Sequence, residues 1–199
     1  MSYFPMFVDL KEKHCLVIGG GTVACRKVRT LLLYEATITV IAPCFIKELE
    51  EMGEQHKITL IKKEIKEDTI VFEREHIALV ICATNQRNVN EAVALWCQKE
   101  HIQVNVVDNQ ELCTFFFPAV VKKGDVSIGI TTSGVSPSGS SYLREQIEQL
   151  VDEQFLSFLE EMTEYREWLK VHVKQEEERR KRLLLKWKEW KTKQITKQI

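Results

Sequence analysis

The sequence has 199 residues, of which 44% are hydrophobic and 29% are charged, and its formal net charge is −1. This length suits one large domain or two small ones, and the composition excludes collagen-like, low-complexity and globally disordered chains. No apolar run reaches the roughly 18 residues that a membrane-spanning helix needs, and the N-terminus lacks the apolar segment of a secretory signal. We therefore predict no membrane partner.

The cysteines and histidines give no sign of a metal site or a disulfide framework. The six cysteines form no CxxC pair, and most of them lie inside apolar runs, where a free cysteine behaves as a small hydrophobic residue. The five histidines form no pair with the spacing H-x-x-x-H. A reducing cytoplasm is the location that this cysteine usage favours.

The first half of the chain alternates between strand and helix patterns. The predicted strands are 14–21, 36–43, 58–65, 77–84 and 102–108, and the predicted helices between them are 22–34, 45–55 and 88–100. Such alternation predicts a parallel sheet with right-handed crossovers. The nearly continuous apolar strands agree, because parallel strands are buried on both faces.

The pattern changes after Asp108. Residues 113–134 predict two strands joined by a Lys-Lys-Gly-Asp turn, and 136–162 predict a helix. The expected architecture is α/β, with a nucleotide-type sheet domain over 1–112, a small strand–helix segment over 113–150 and a helical domain over 151–199. An exposed strand with three consecutive phenylalanines invites pairing with a second chain, so we expect a homodimer.

The C-terminal segment is basic whereas the rest of the chain is acidic. Residues 163–199 hold 12 Lys and Arg against 6 Asp and Glu, and residues 1–162 hold 16 against 23. A basic tail is able to contact a polyanion, but a solvated helix face is the simpler interpretation. We predict no nucleic-acid partner.

Residues 19–24, GGGTVA, fit the dinucleotide-binding pattern G-x-G-x-x-A at the junction of the first strand and the first helix. Gly19 permits a tight turn, Gly21 lets the backbone approach a pyrophosphate, and the helix N-terminus attracts its charge. We assign Gly19, Gly21, Thr22 and Val23 to cofactor binding. The alternative is a tight turn in an α/β domain that binds no nucleotide.

The acidic residue that should end the second strand and bind the cofactor ribose is missing. Residues 40–44 read VIAPC, with neither an acid nor an arginine that would announce a 2′-phosphate. We expect the ribose to meet the backbone around Pro43 and Cys44. The residues leave the choice between NAD and NADP open.

Two further clusters follow predicted parallel strands, where ligands of open α/β sheets bind. Thr84 and Asn85 come after the apolar run 77–82, and we assign them to the cofactor, with a helix N-cap as the alternative. Asp108 closes the last parallel strand. A carboxylate beside apolar walls is able to serve as a general base or acid, and a helix cap or turn former is the alternative.

A fourth cluster combines hydroxyl groups and glycines before a helix. Thr132, Ser133 and Ser136 belong to the run TTSGVSPSGSS, and Arg144 lies about two turns into the helix that follows. Backbone N–H groups and hydroxyls of this kind are able to form an anion site, which we expect to bind substrate. The alternative is a flexible, well-capped loop.

These motifs, taken in order, resemble the precorrin-2 dehydrogenase / sirohydrochlorin ferrochelatase family of siroheme biosynthesis. The matching segments are Phe4–Leu10, Gly19–Ala24, Arg26-Lys27, Ala42-Pro43, Ala83–Asn85, Val89-Asn90, Val104–Asp108, Phe117–Ala119, Ser133–Pro137 and Leu143-Arg144. The match covers about residues 3–150, and the helical tail resembles the family only in type.

The resemblance implies a Rossmann domain that binds NAD, a dimerisation segment and a helical domain. It implies oxidation of precorrin-2 to sirohydrochlorin with Asp108 as the general base, and in some relatives iron insertion by the same aspartate. Thr132 stands where relatives often have serine. Because precorrin-2 carries eight carboxylates, Lys122, Lys123 and Arg144 are expected to supply positive charge. The competing hypotheses are a bifunctional enzyme that also inserts Fe2+ and a non-catalytic nucleotide sensor.

Overall fold

The computed structural model describes residues 4–67, 70, 72, 77–107 and 109–197. Asp108 therefore lies outside the described residues, and its assignment as a base stays a prediction. The chain divides into two compact units. The first runs to Val120 and includes Ser133–Val135, and the second comprises Val121–Thr132 and the chain from Ser136 onward.

The first unit is a five-stranded parallel sheet with helices between the strands. Its elements in chain order are β1 (His14–Ile18), α1 (Thr22–Leu32), β2 (Thr37–Ala42), α2 (Lys47–Glu54), β3 (Thr59–Lys62), β4 (Ile77–Cys82), α3 (Arg87–Lys99) and β5 (Gln103–Val106). The strand order is β3-β2-β1-β4-β5, and every pairing is parallel. The predicted α/β fold is confirmed. The order reverses beside β1, so the ligand crevice of such a sheet is expected at the carboxyl ends of β1 and β4.

Both faces of the sheet are covered by apolar cores. From β1, Cys15 and Val17 contribute to the core that contains the buried face of α1, whereas Leu16 and Ile18 contribute to the core that contains α3. Successive side chains of a strand point to opposite faces, which explains this division. It also explains why the strand is apolar from Cys15 to Ile18, up to the glycines.

The three phenylalanines 115–117 do not form a strand, so this part of the prediction is wrong. Thr114 still pairs with the edge of β5, because its N–H donates to the Val104 carbonyl at 2.9 Å. Phe115 and Phe117 then pack against the core on the α1 side. Pro118 follows and has no N–H to continue a ladder. The exposed strand that suggested pairing with a second chain is therefore absent from residues 115–117.

The second unit contains a two-stranded sheet and three helices. Its elements are β6 (Ala119–Lys123), which begins at the end of the first unit, β7 (Val126–Ile130), α4 (Pro137–Leu150), α5 (Glu153–His172) and α6 (Glu176–Lys197). The two predicted strands in 113–134 are thus present, although they begin later than expected. No helix in the described part of the chain has the length and apolar character needed to cross a membrane.

The single helix predicted over 136–162 is two helices. α4 ends at Leu150, Val151 is buried, and α5 begins after Asp152. The Asp152 carboxylate accepts a hydrogen bond from the Phe155 N–H at 2.7 Å, which is the N-cap geometry that aspartate favours. Capping by Asp152 thus outweighs the apolar spacing that suggested one continuous helix.

Helices α5 and α6 are joined by aromatic packing. The Phe158 ring is buried, with its centroid 4.8 Å from that of Trp187 and 4.9 Å from that of Trp190. The Lys186 ammonium also forms an ion pair with Glu161 at 2.8 Å. Trp187 and Trp190, two of the three tryptophans in residues 163–199, are therefore packing residues.

Candidate functional site

The three glycines after β1 occupy three different environments. Gly19 has φ +126°, and a Cβ there would lie 2.3 Å from the Ala83 carbonyl oxygen; a Cβ on Gly20 would lie 1.9 Å from the Cys44 carbonyl oxygen. A Cβ on Gly21 would meet nothing within 4 Å. The first two glycines therefore let the turn pass close to the ends of β4 and β2, whereas the third leaves open space. The motif did not reveal the requirement at Gly20, because it accepts any residue there.

The N-terminus of α1 borders this open space. Gly21 is the N-cap, no side chain caps the helix, and its first turn contains no acidic residue. The first N–H groups of a helix lack intrahelical partners and favour an anion. Thr22 is exposed, Val23 is half-buried and Ala24 is fully buried, so the helix lies close against the sheet. The arrangement suits a phosphate group in front of Gly21.

The end of β2 lies beside the glycine turn. The Gly20 carbonyl accepts a hydrogen bond from the Ile46 N–H at 2.9 Å, which holds the loop after β2 in place. Pro43 and Cys44 are exposed within that loop. The backbone there is thus accessible, and its contact with a cofactor ribose stays a prediction.

Thr84 binds within its own loop. Its hydroxyl donates to the Asn90 side-chain oxygen at 2.7 Å and accepts from the Gln86 N–H at 3.1 Å, while the Asn90 amide donates to the Thr84 carbonyl at 3.0 Å. The N-cap of α3 is Gln86, so the alternative that Asn85 caps this helix is wrong. Asn85 is exposed at the end of β4, where a cofactor contact is available.

Asn90 is a site residue to which the sequence analysis gave no role. It is buried, with 6% of its surface exposed, on the face of α3 that also carries Val89 and Val93. Three hydrogen bonds join it to Thr84. A polar side chain on an otherwise apolar helix face was the available signal, since a buried amide needs partners.

The backbone on both sides of position 108 is fixed by local hydrogen bonds. The Val107 N–H donates to the Cys82 carbonyl at 2.9 Å, which continues the alignment of β4 and β5. The Cys113 sulfur accepts from the Val106 N–H at 3.2 Å and lies 3.3 Å from the Asn109 carbonyl. Burial raises the pKa of the Cys113 thiol, so it is neutral near pH 7. A neutral sulfur thus contacts the backbone of Val106 and Asn109.

The hydroxyl cluster of the second unit is hydrogen-bonded internally. The Thr132 hydroxyl donates to the Ser136 carbonyl at 2.8 Å and lies 3.0 Å from the Ser140 hydroxyl. Ser136 caps α4 by accepting from the Gly139 N–H at 3.0 Å. Thr132 and Ser136 therefore lie together, whereas Ser133, with φ +55°, belongs to the first unit.

The basic residues expected near this cluster have local partners. Arg144 forms ion pairs with Glu145 and Glu148 on its own helix. The Lys123 ammonium donates to the carbonyls of Glu148 and Val151, each at 2.8 Å, and so satisfies the C-terminal end of α4. Lys123 is thus placed to stabilise the helix, and Arg144 would have to exchange partners to bind a substrate.

No group of three or more His, Cys, Asp or Glu side chains within the described ranges is placed to hold a metal ion. The first unit instead offers a glycine turn, a helix N-terminus and the ends of parallel strands. These features match those of a nucleotide-binding sheet edge.

Comparison with protein families agrees with this geometry. A family model described as "Putative NAD(P)-binding" matches residues 6–119, which span the sheet and its glycine turn. The chain belongs to this NAD(P)-binding family. The family indicates a nicotinamide dinucleotide as the ligand of this sheet edge.

Curated relatives confirm the resemblance predicted from the motifs. A siroheme synthase of Pseudoalteromonas translucida is 40% identical over 151 residues, which cover 76% of this chain and 31% of the relative. A siroheme synthase of Nitrosomonas europaea is 34% identical over 183 residues, covering 90% of this chain and 37% of the relative. The chain thus spans about a third of the length of these relatives.

A solved structure named SirC, precorrin-2 dehydrogenase, has the same fold. The TM-score is 0.70 at 24% sequence identity, and the match covers 92% of this chain and 88% of that chain. The likeness therefore extends beyond the sheet domain, into the helical part of the chain.

Proposed function

We propose that this chain is an NAD-dependent dehydrogenase that oxidises precorrin-2 to sirohydrochlorin. The observation that carries the proposal is the open space in front of Gly21 at the uncapped N-terminus of α1, inside a domain of the NAD(P)-binding family. The siroheme synthases and the precorrin-2 dehydrogenase to which the chain is similar supply the substrate class.

The residues around the glycine turn fit a dinucleotide. The N–H groups of Gly21, Thr22 and Val23 would hold the pyrophosphate, because an uncapped helix N-terminus without acids favours negative charge. The exposed backbone of Pro43 and Cys44 would face the adenosine ribose. Asn85 would contact the cofactor, while Thr84 would shape the loop through Asn90. When bound, the nicotinamide accepts a hydride from the substrate.

The proposed oxidation removes a hydride and a proton from precorrin-2. A substrate C–H bond would break with loss of a hydride, for which a bound nicotinamide would supply the acceptor, and the proton released from the substrate would go to the Asp108 carboxylate. The bonds around Cys113 brace the chain on either side of this position, and pre-organisation of this kind favours proton transfer. We assign Asp108 the role of general base.

Substrate carboxylates would be bound by hydroxyl and cationic groups. We propose Thr132, Ser133 and Ser136 as hydrogen-bond donors and Arg144 as a cation that exchanges Glu145 or Glu148 for a substrate carboxylate. On the family resemblance we also propose that the chain forms a homodimer and is located in the cytoplasm. Analytical ultracentrifugation would test the homodimer.

The proposed function is tested by anaerobic turnover of precorrin-2 with NAD+ and, separately, with NADP+. Formation of reduced nicotinamide together with sirohydrochlorin is the expected result, with NAD+ as the better substrate. A folded protein that binds NAD+ but produces neither product would contradict the proposal and would favour a nucleotide sensor.

A second candidate function is insertion of Fe2+ into sirohydrochlorin. The similarity to proteins named siroheme synthase favours it. The metal would here be a substrate. Incubation of sirohydrochlorin with Fe2+ and the protein under anaerobic conditions distinguishes the two, since a dehydrogenase alone would not exceed the spontaneous rate.

A further inference from the structure

Lys27 is a half-buried cation in the first unit, and the proposed reaction assigns it no role. Its ammonium lies 4.1 Å from the centroid of the Phe117 ring, in a cation–π contact. Lys27 belongs to a segment that matches the family, Arg26-Lys27, but the sequence indicates no role for it. Its neighbour Arg26 is exposed on the same helix.

No carboxylate within the described ranges forms an ion pair with Lys27. The nearby Cys113 thiol is neutral near pH 7 and supplies no negative charge. Burial, and secondarily the positive charge of Arg26, lower the pKa of Lys27 to about 8. A cation that is partly desolvated and lies beside a second cation is stabilised when an anion binds to it.

The position of Lys27 joins two parts of the candidate site. It lies in the second turn of α1, and helical side chains lean toward the N-terminus, which here borders the glycine turn. Phe117 belongs to the segment after β5. In the same segment, Cys113 bonds to Val106 and Asn109 on either side of position 108. The ammonium thus lies between the helix that would bind the cofactor and the segment that follows the proposed base.

We propose that Lys27 binds a carboxylate of the tetrapyrrole substrate, with the ring of Phe117 holding the ammonium in place. This inference rests on the proposed function, because it takes its ligand from there. The dinucleotide pyrophosphate is the other source of an anion at this edge of the sheet. The carboxylate is favoured because the uncapped N–H groups at Gly21 already provide for a pyrophosphate.

The first test measures binding of sirohydrochlorin, the product, by its change in absorbance on titration. Lys27→Met keeps the aliphatic stem over Phe117 and should weaken binding roughly tenfold to a hundredfold, as loss of a charge-assisted hydrogen bond predicts. Lys27→Arg keeps the charge and the ring contact and should bind within about threefold of the wild type. Lys57→Met, at an exposed loop lysine, is the matched control and should bind as the wild type does.

The second test measures proton uptake, which a merely structural role would not change. At pH 8 Lys27 is about half protonated, and pairing with a carboxylate restores the missing charge. Calorimetric titration in two buffers of different ionisation enthalpy should therefore show uptake of about half a proton in the wild type. Lys27→Arg should show none, and this readout stands even if Lys27→Met fails to fold.

The outcomes separate this inference from the function on which it rests. If Lys27→Met binds sirohydrochlorin like the wild type, or loses affinity for NAD+ instead, the assignment to a substrate carboxylate is overturned. If the wild type binds NAD+ but not sirohydrochlorin, the proposed substrate is wrong and this assignment falls with it.

Discussion

Replacing Gly20 and Gly21 separately by alanine should separate folding from cofactor binding. In Gly20→Ala the new Cβ would lie 1.9 Å from the Cys44 carbonyl oxygen and 3.0 Å from the Ala42 Cβ. Since the first of these atoms is backbone, the loop after β2 must move by about 1 Å, and overpacking of this kind costs about 1–3 kcal/mol. The hydrogen bond from Ile46 to the Gly20 carbonyl would be disturbed as well, at about 1 kcal/mol. We expect the free energy of unfolding to fall by about 2–4 kcal/mol.

Gly21→Ala should have the opposite effect. Its Cβ would meet nothing within 4 Å, and φ is −93°, which alanine adopts freely. The cost in unfolding free energy is limited to the poorer N-cap, about 1 kcal/mol or less. The methyl group would nevertheless occupy the space in which the pyrophosphate is proposed to lie. We expect affinity for NAD+ to fall tenfold or more, which corresponds to about 1.4 kcal/mol.

Urea denaturation and calorimetric titration with NAD+ measure the two effects on the same samples. We expect the free energy of unfolding to fall clearly more in Gly20→Ala than in Gly21→Ala. We also expect Gly21→Ala to be stably folded and to have a lower affinity for NAD+. Wild-type stability in Gly20→Ala would refute the structural argument, and wild-type affinity in Gly21→Ala would refute the assignment of the phosphate site.

Three further predictions concern stability. Asn90→Ala should lower the unfolding free energy by about 2–3 kcal/mol in urea, because it removes a buried amide and its hydrogen bonds to the half-buried Thr84. Asn88→Ala, at an exposed side chain, should cost less than about 0.5 kcal/mol. Asp152→Ala should cost about 1 kcal/mol by removing the cap of α5, and Asp152→Asn should retain most of it. The pKa of Lys27 is lowered to about 8 in the folded chain and is near 10.5 when unfolded, so the unfolded state binds more protons between these values. The contribution of Lys27 to stability should therefore rise with pH through that window. The difference in urea denaturation midpoint between wild type and Lys27→Met, followed from pH 7 to 10.5, measures this contribution. A difference that stays constant with pH would contradict this account.

The sheet was predictable because its signals are local. The central strands β1, β2 and β4 are short, largely apolar runs. Burial on both faces requires this, as the two cores that receive alternate residues of β1 show. The helix after the glycines was equally clear, since its buried residues Ala24, Cys25, Val28 and Leu31 recur at helical spacing.

Long-range contacts account for what the sequence did not reveal. Gly20 is required because the fold brings the Cys44 carbonyl against it, and no pattern of neighbouring residues contains that information. Asn90 supports Thr84 from six residues away through a loop whose shape the sequence does not specify. The phenylalanines at 115–117 have high strand propensity, but two of them pack on the α1 side of the sheet instead, because burial outweighs intrinsic preference.

The break between α4 and α5 at Asp152 had a local signal in the sequence. Aspartate followed by Glu153 resembles the start of a helix, yet the apolar spacing on either side suggested continuity. The assignment of Asp108 as base came from its place at the end of the last parallel strand and from the family resemblance, and it stays a prediction.

The most direct test of the central claim compares wild type with Asp108→Ala in anaerobic turnover of precorrin-2 with NAD+, with NAD+ affinity measured on the same preparations. We predict that the wild type forms reduced nicotinamide and sirohydrochlorin in equal amounts, and that Asp108→Ala binds NAD+ normally but loses turnover by about 100-fold or more, as loss of a general base predicts. Turnover in Asp108→Ala equal to that of the wild type would contradict the role of Asp108. A wild type that binds NAD+ without oxidising precorrin-2 would contradict the dehydrogenase itself.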